Sequence, residues 1–178
     1  MPTSNHRRNG RTRPRRPHRA ADTFHPECPA CNDPDWTPEK DWERTWETIE
    51  RHGWQVTAVL GSRTFPPYAY TVGLSLRDLP ELVITGLTAE VAGGILNDHA
   101  RLVASGEWVP EPEGSGGGRF RVIEVTKPGE RLAVADNVNG GPVPAYQLVW
   151  PSPDGRYPGD PGYDEITWRQ PLLGAASW

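Results

Sequence analysis

Hydrophobic and polar positions alternate between two periods along this chain, and the changeovers mark its elements. Trp42, Trp46 and Ile49 recur at helical spacing, behind a start signal of Thr37, Pro38 and Glu39. A hydroxyl N-cap, a proline in the first turn and an acid facing the positive end of the dipole predict a helix from residue 38. Gly53, after His52, supplies the left-handed stop. From Trp54 to Leu60 the period becomes two, which predicts a strand with one wet side.

A second strand, Tyr68 to Leu74, places Tyr68, Tyr70, Val72 and Leu74 on one face and Ala69, Thr71, Gly73 and Ser75 on the other. The first face is bulky and the second nearly bare, so a helix, another backbone or a ligand can approach it closely. Leu82 to Leu87 is apolar on both faces, as in a central strand. Thr88 caps a second helix reaching Ser105 before Gly106. His99 falls within its apolar arc, where a histidine bonded to a core carbonyl is the ordinary expectation. Three further strands are predicted, at Phe120–Val125, Leu132–Ala135 after a Pro128-Gly129 turn, and Val143–Trp150. In the last, Gln147 shares its face with Val143, Ala145 and Val149, so its amide requires a specific partner. The fold class read from this pattern is α+β: one domain over 37–178, with a largely antiparallel sheet of about six strands and two main helices.

Residues 1–36 show neither period. They read as a disordered basic tail and linker, rich in arginine and proline. Residues 1–20 hold seven arginines and no acid. Of 19 basic residues 12 therefore remain against 23 acids, and residues 21–178 carry −11 although the whole chain carries −4. A body of that charge repels phosphate, so nucleic-acid contact would have to run through the tail. No run is long and apolar enough for a signal peptide or membrane span, which reads as a cytoplasmic protein. Cys28 and Cys31, with His25 three residues ahead, supply part of a zinc site, and a structural zinc needs four ligands. The surrounding prolines offer no helix N-terminus to activate a thiol, so redox chemistry is disfavoured there.

Several chemistries are excluded by spacing. The Gly114–Gly118 run leads into a strand and lacks the lysine of a phosphate loop. No Gly-x-Ser-x-Gly nucleophile elbow occurs. Asp154, Asp160 and Asp164 lack the spacing of a calcium loop and read as turn formers.

Four runs, His52-Gly53-Trp54, Pro67–Leu74, Pro80–Leu87 and Ala145–Pro158, resemble in order and spacing the domain-of-unknown-function 4262 family of bacterial proteins, a family without an assigned activity. The resemblance spans about residues 45–174. Where similar proteins place a tryptophan after the last loop's proline, this chain has Gly159. Polar residues within the shared runs are the candidates for function. Tyr70, Thr71, Gln147 and His52 are expected to line one ligand pocket. His52, at a helix C-terminus, and Glu81, opening a strand, are the candidate acid–base pair, provided they meet. Three classes follow: a binding or accessory module for a small molecule, peptide or protein, an enzyme using His52 and Glu81, or an immunity- or antitoxin-like interaction protein whose acidic body meets a basic partner.

Overall fold

The computed structural model describes residues 33, 35–111, 119–165 and 169–176. The basic tail, with His25, Cys28 and Cys31, and the glycine run 114–118 lie outside the described residues. The elements are α1 (Pro38–His52), β1 (Gln55–Val59), β2 (Tyr68–Val72), β3 (Glu81–Thr85), α2 (Ala89–Ser105), β4 (Arg121–Glu124), α3 (Ala133–Asn139) and β5 (Ala145–Val149), with short 3-10 helices at Leu74–Arg77 and Pro128–Glu130. The five strands form one sheet in the order β1-β2-β3-β5-β4. Three of its pairings are antiparallel and β3–β5 is parallel.

Both long helices form where their caps stand. Thr37 Oγ1 accepts the Lys40 N–H at 3.2 Å, and the N–H of left-handed Gly53 reaches the Ile49 carbonyl at 2.7 Å. Thr88 and Gly106 bound α2 in the same way. On one face of the sheet Ala92, Leu96, Ala100 and Val103 of α2 pack on Ala69, Leu82, Ile84 and Leu148. On the other, Ile49 of α1 and Ala135 and Val138 of α3 pack on Tyr70, Val72, Val83 and Ala145. The result is an α+β fold with a helical layer on each side of a mixed sheet.

Two expectations fail locally. Leu132–Ala135 is not a strand: Leu132 precedes α3, and Leu132, Ala135 and Val138 form the buried side of a short helix. Four residues were too few to separate the two periods. Leu74 does not share a face with Tyr70 and Val72. Gly73 adopts φ 113°, which ends β2 and turns Leu74 into the core beneath α2. Among the described residues the sheet has five strands, close to the six or so expected, and three α-helices accompany it.

Candidate functional site

Glu81 opens β3 and is completely buried. The β2–β3 ladder stops at the Tyr70–Val83 pair. Beyond it Thr71 takes over, its Oγ1 accepting the Leu82 N–H at 2.8 Å and donating to Glu81 Oε2 at 2.6 Å. Glu81 Oε1 accepts the Gly73 N–H at 2.9 Å, the Ser75 N–H at 3.0 Å and the Ser75 hydroxyl at 2.8 Å. The carboxylate therefore holds the turn that ends β2 and caps the 3-10 helix after it, where backbone donors would otherwise be orphaned. Burial pushes the carboxyl above its ordinary value, while the bonds from Thr71, Ser75 and Gly73 pull it back down. Burial is the larger influence.

His52 is the last residue of α1 and is exposed. All four donors to Glu81 come from Thr71, Gly73 and Ser75, and His52 is not among them. The candidate acid–base pair is thus not assembled.

Gln147 is equally buried but faces the other way. In register with Val83, it lies on the face covered by α1 and α3, whereas Thr71 alternates with Tyr70 onto the α2 face. Tyr70, Thr71, Gln147 and His52 do not line a common pocket. The Gln147 amide does have specific partners. Its Nε2 donates to Thr85 Oγ1 at 3.1 Å and to the Pro171 carbonyl at 3.0 Å, and its Oε1 accepts the Leu173 N–H at 2.7 Å. Thr85 Oγ1 donates to the same Pro171 carbonyl at 3.0 Å. Nearby, Gln170 exchanges both side-chain bonds with the Trp150 backbone, and Trp150 Nε1 donates to the Thr85 carbonyl at 2.9 Å. Together these groups bind residues 170–173 as an extended strap.

Tyr68 and Tyr70 stack with ring centroids 6.1 Å apart. The Tyr68 hydroxyl donates to the Arg131 carbonyl at 3.1 Å, and the Tyr70 hydroxyl accepts the Val134 N–H at 3.4 Å, docking the start of α3 on β2. Burial raises both phenols above their ordinary value, so they stay neutral. His99 is buried, with Nδ1 2.8 Å from the Ile95 carbonyl and its ring edge-on to Trp108 and Phe120, in keeping with a core role.

One concavity opens at the end of the sheet where β1 finishes, β2 starts and β3 turns into α2. Its volume is about 230 Å3, and Val59, Leu60, Pro67, Tyr68 and Leu87 line it, with Thr88 at the rim. Gly61 is required there, since a Cβ would stand 2.8 Å from the Pro67 ring. Among the described residues no group of three His, Cys, Asp or Glu side chains could hold a metal ion, and no helix is long and apolar enough to cross a membrane.

A family model described as Domain of unknown function (DUF4262) matches residues 48–164. The chain belongs to this DUF4262 family. No curated protein and no solved structure matches it. The DUF4262 match takes in the Glu81 clamp, Gln147 and the concavity, but it stops before the strap at 170–173. Sequence reasoning missed Ser75 and Thr85, which complete the two buried networks. A usable signal existed for Thr85, a hydroxyl inside a strand apolar on both faces, where an unpaired polar group is costly. Ser75 carried none, because its bond to Glu81 depends on the turn at Gly73.

Proposed function

We propose that this DUF4262 chain is a binding module without catalytic chemistry of its own, and that its ligand seat is the concavity at Val59–Gly61, Pro67–Tyr68 and Leu87–Thr88. One observation carries this reading. Pro67, Tyr68 and Leu87, from two of the motif runs, converge on the open concavity, while the polar motif residues Thr71, Glu81 and Gln147 turn inward onto the chain itself. A mainly apolar recess with few polar groups suits recognition more than proton transfer. Its 230 Å3 is below the roughly 300–1,000 Å3 of drug-sized ligand sites, so the fitting occupant is one apolar side chain or a small fragment rather than a nucleotide-sized cofactor. An acid–base reading finds no support, with His52 exposed and both Glu81 oxygens occupied.

The test is amide-resolved NMR of the full chain titrated with indole, phenol and isobutanol. Shift changes should centre on Leu60, Gly61, Leu87 and Thr88, and Leu87→Arg should abolish them while amides distant from the concavity keep their natural shifts, the sign that the fold survives the loss of a half-buried leucine. Changes centred elsewhere, or none with any fragment, would overturn the assignment.

A further inference from the structure

The two edges of the sheet are treated differently by the fold. Beyond β4, Tyr157 donates to the Arg119 carbonyl at 2.6 Å, Arg121 stacks on the Tyr157 ring and pairs with Asp160, and the Thr126 N–H reaches Leu173 at 2.8 Å. Gly174 lies directly against the Glu124 carbonyl, leaving no space for a Cβ. The β4 edge is closed by its own chain.

β1 is the other edge, and it is open. Among the described residues, no hydrogen bond other than those of the β2 ladder reaches Gln55–Val59. The usual protections of an edge strand are missing too. Gln55-Val56-Thr57-Ala58-Val59 contains no charge, proline or glycine, and its five register pairs run without a bulge. At its centre Thr57 has an Oγ1 shielded from solvent yet without a hydrogen-bond partner, alone in this among the described side chains. A native fold rarely leaves such a group unpaired.

We infer that β1 pairs with β1 of a second copy of this chain, antiparallel about a twofold axis at Thr57, to form a continuous ten-stranded sheet. The identity of the occupant follows from symmetry and charge. In this register Thr57 faces the partner's Thr57, and a χ1 rotation brings each Oγ1, enclosed within its own chain in the monomer, to the seam, where one hydroxyl donates and the other accepts. Val56 and Ala58 of each copy face one another on the α2 side, and Gln55 meets Val59 on the α1 side, so both faces keep their pattern across the seam. Ala58, the exposed residue of β1, becomes covered. The body of this protein is strongly acidic and would repel its own copy over most of its surface, but the β1 edge places no charge opposite a like charge. Because β4 is closed, association stops at two, as an isologous dimer rather than a fibre. The two apolar concavities then flank the seam.

Sedimentation velocity of the full chain over a wide concentration range tests this directly. The expected result is a concentration-dependent shift from monomer to dimer mass, with backbone amides of Gln55–Val59 gaining hydrogen-exchange protection as dimer forms. Thr57→Lys should abolish the dimer. So should Ala58→Glu, which sits at a position already exposed in the monomer and leaves folding intact. Glu124→Lys on the opposite edge should leave the dimer unchanged. A chain that stays monomeric throughout, or a dimer that survives both β1 variants, overturns the inference. Fragment binding at the concavity is read separately by NMR on the natural chain and on Thr57→Lys, because Ala58 itself lines the concavity, and it can fail or succeed independently of the dimer.

Discussion

Replacing Glu81 by alanine removes the acceptor from four donors at once: the Gly73 and Ser75 N–H groups and the Thr71 and Ser75 hydroxyls. The hydroxyls can rotate towards other acceptors, but the two backbone donors cannot, and Gly73 is buried. Each orphaned buried donor costs roughly 1–3 kcal/mol, partly offset because a desolvated carboxylate has also been removed. The expected net loss is about 3 kcal/mol, or roughly 6–12 °C of Tm at about 2–4 °C per kcal/mol for a chain of this size. Urea unfolding followed by tryptophan fluorescence and circular dichroism measures it. Glu81→Gln keeps an acceptor for Gly73 and Ser75 and disturbs only the Thr71 bond, so its effect should be smaller. Acidity supplies an independent check. Burial raises the folded carboxyl above its ordinary value of 4.5, so the folded chain holds this proton more tightly than the unfolded chain. The contribution is full below that value and is lost as pH rises through the folded value. Relative to Glu81→Gln, the natural chain should therefore lose stability as pH climbs above 4.5. A loss under about 1 kcal/mol for the alanine variant would refute the clamp, and the opposite pH slope would refute the dominance of burial.

Other consequences can be measured alongside. Gln147→Leu forfeits the bonds to Thr85, Pro171 and Leu173 and should cost about 2–4 kcal/mol, with faster proteolysis near residues 169–176 than in the natural chain. Gly86→Ala should destabilise by about 2–4 kcal/mol, since φ is 79° and a Cβ would meet the Arg169 carbonyl; chemical denaturation reads this. His52→Ala should change stability by at most about 0.5 kcal/mol, as for an exposed side chain, and leave the NMR fragment response untouched.

What the sequence made legible was local. Thr37, Gly53, Thr88 and Gly106 act within one helical turn of themselves, and so α1 and α2 were readable from caps and spacing. The strands β1, β2 and β5 were readable from alternation and β3 from an apolar run on both faces, with ends misplaced by one or two residues where a turn residue such as Gly73 intervened. Gln147 was recognisable as an amide in need of a partner because it interrupts an apolar face. Its partners were not, since Thr85 is 62 residues away in the chain. Glu81 could be singled out but not interpreted, because its role depends on a backbone turn eight residues earlier that aims two N–H groups at it. The parallel β3–β5 pairing likewise comes from long-range assembly that no window of residues records.

The strap also has a bearing on when this protein can finish folding during synthesis. Thr85 must wait for its acceptor Pro171, 86 residues further along. At translation rates of about 5–20 residues per second that interval is roughly 4–17 s. Over that time β1–β3 and α2 can collapse, but the Thr85 hydroxyl lacks its acceptor at Pro171, and Gln147, once made, has Thr85 but neither the Pro171 carbonyl nor the Leu173 N–H. A nascent chain halted before residue 170 is thus left with buried polar groups on Thr85 and Gln147 that lack part of their hydrogen bonding.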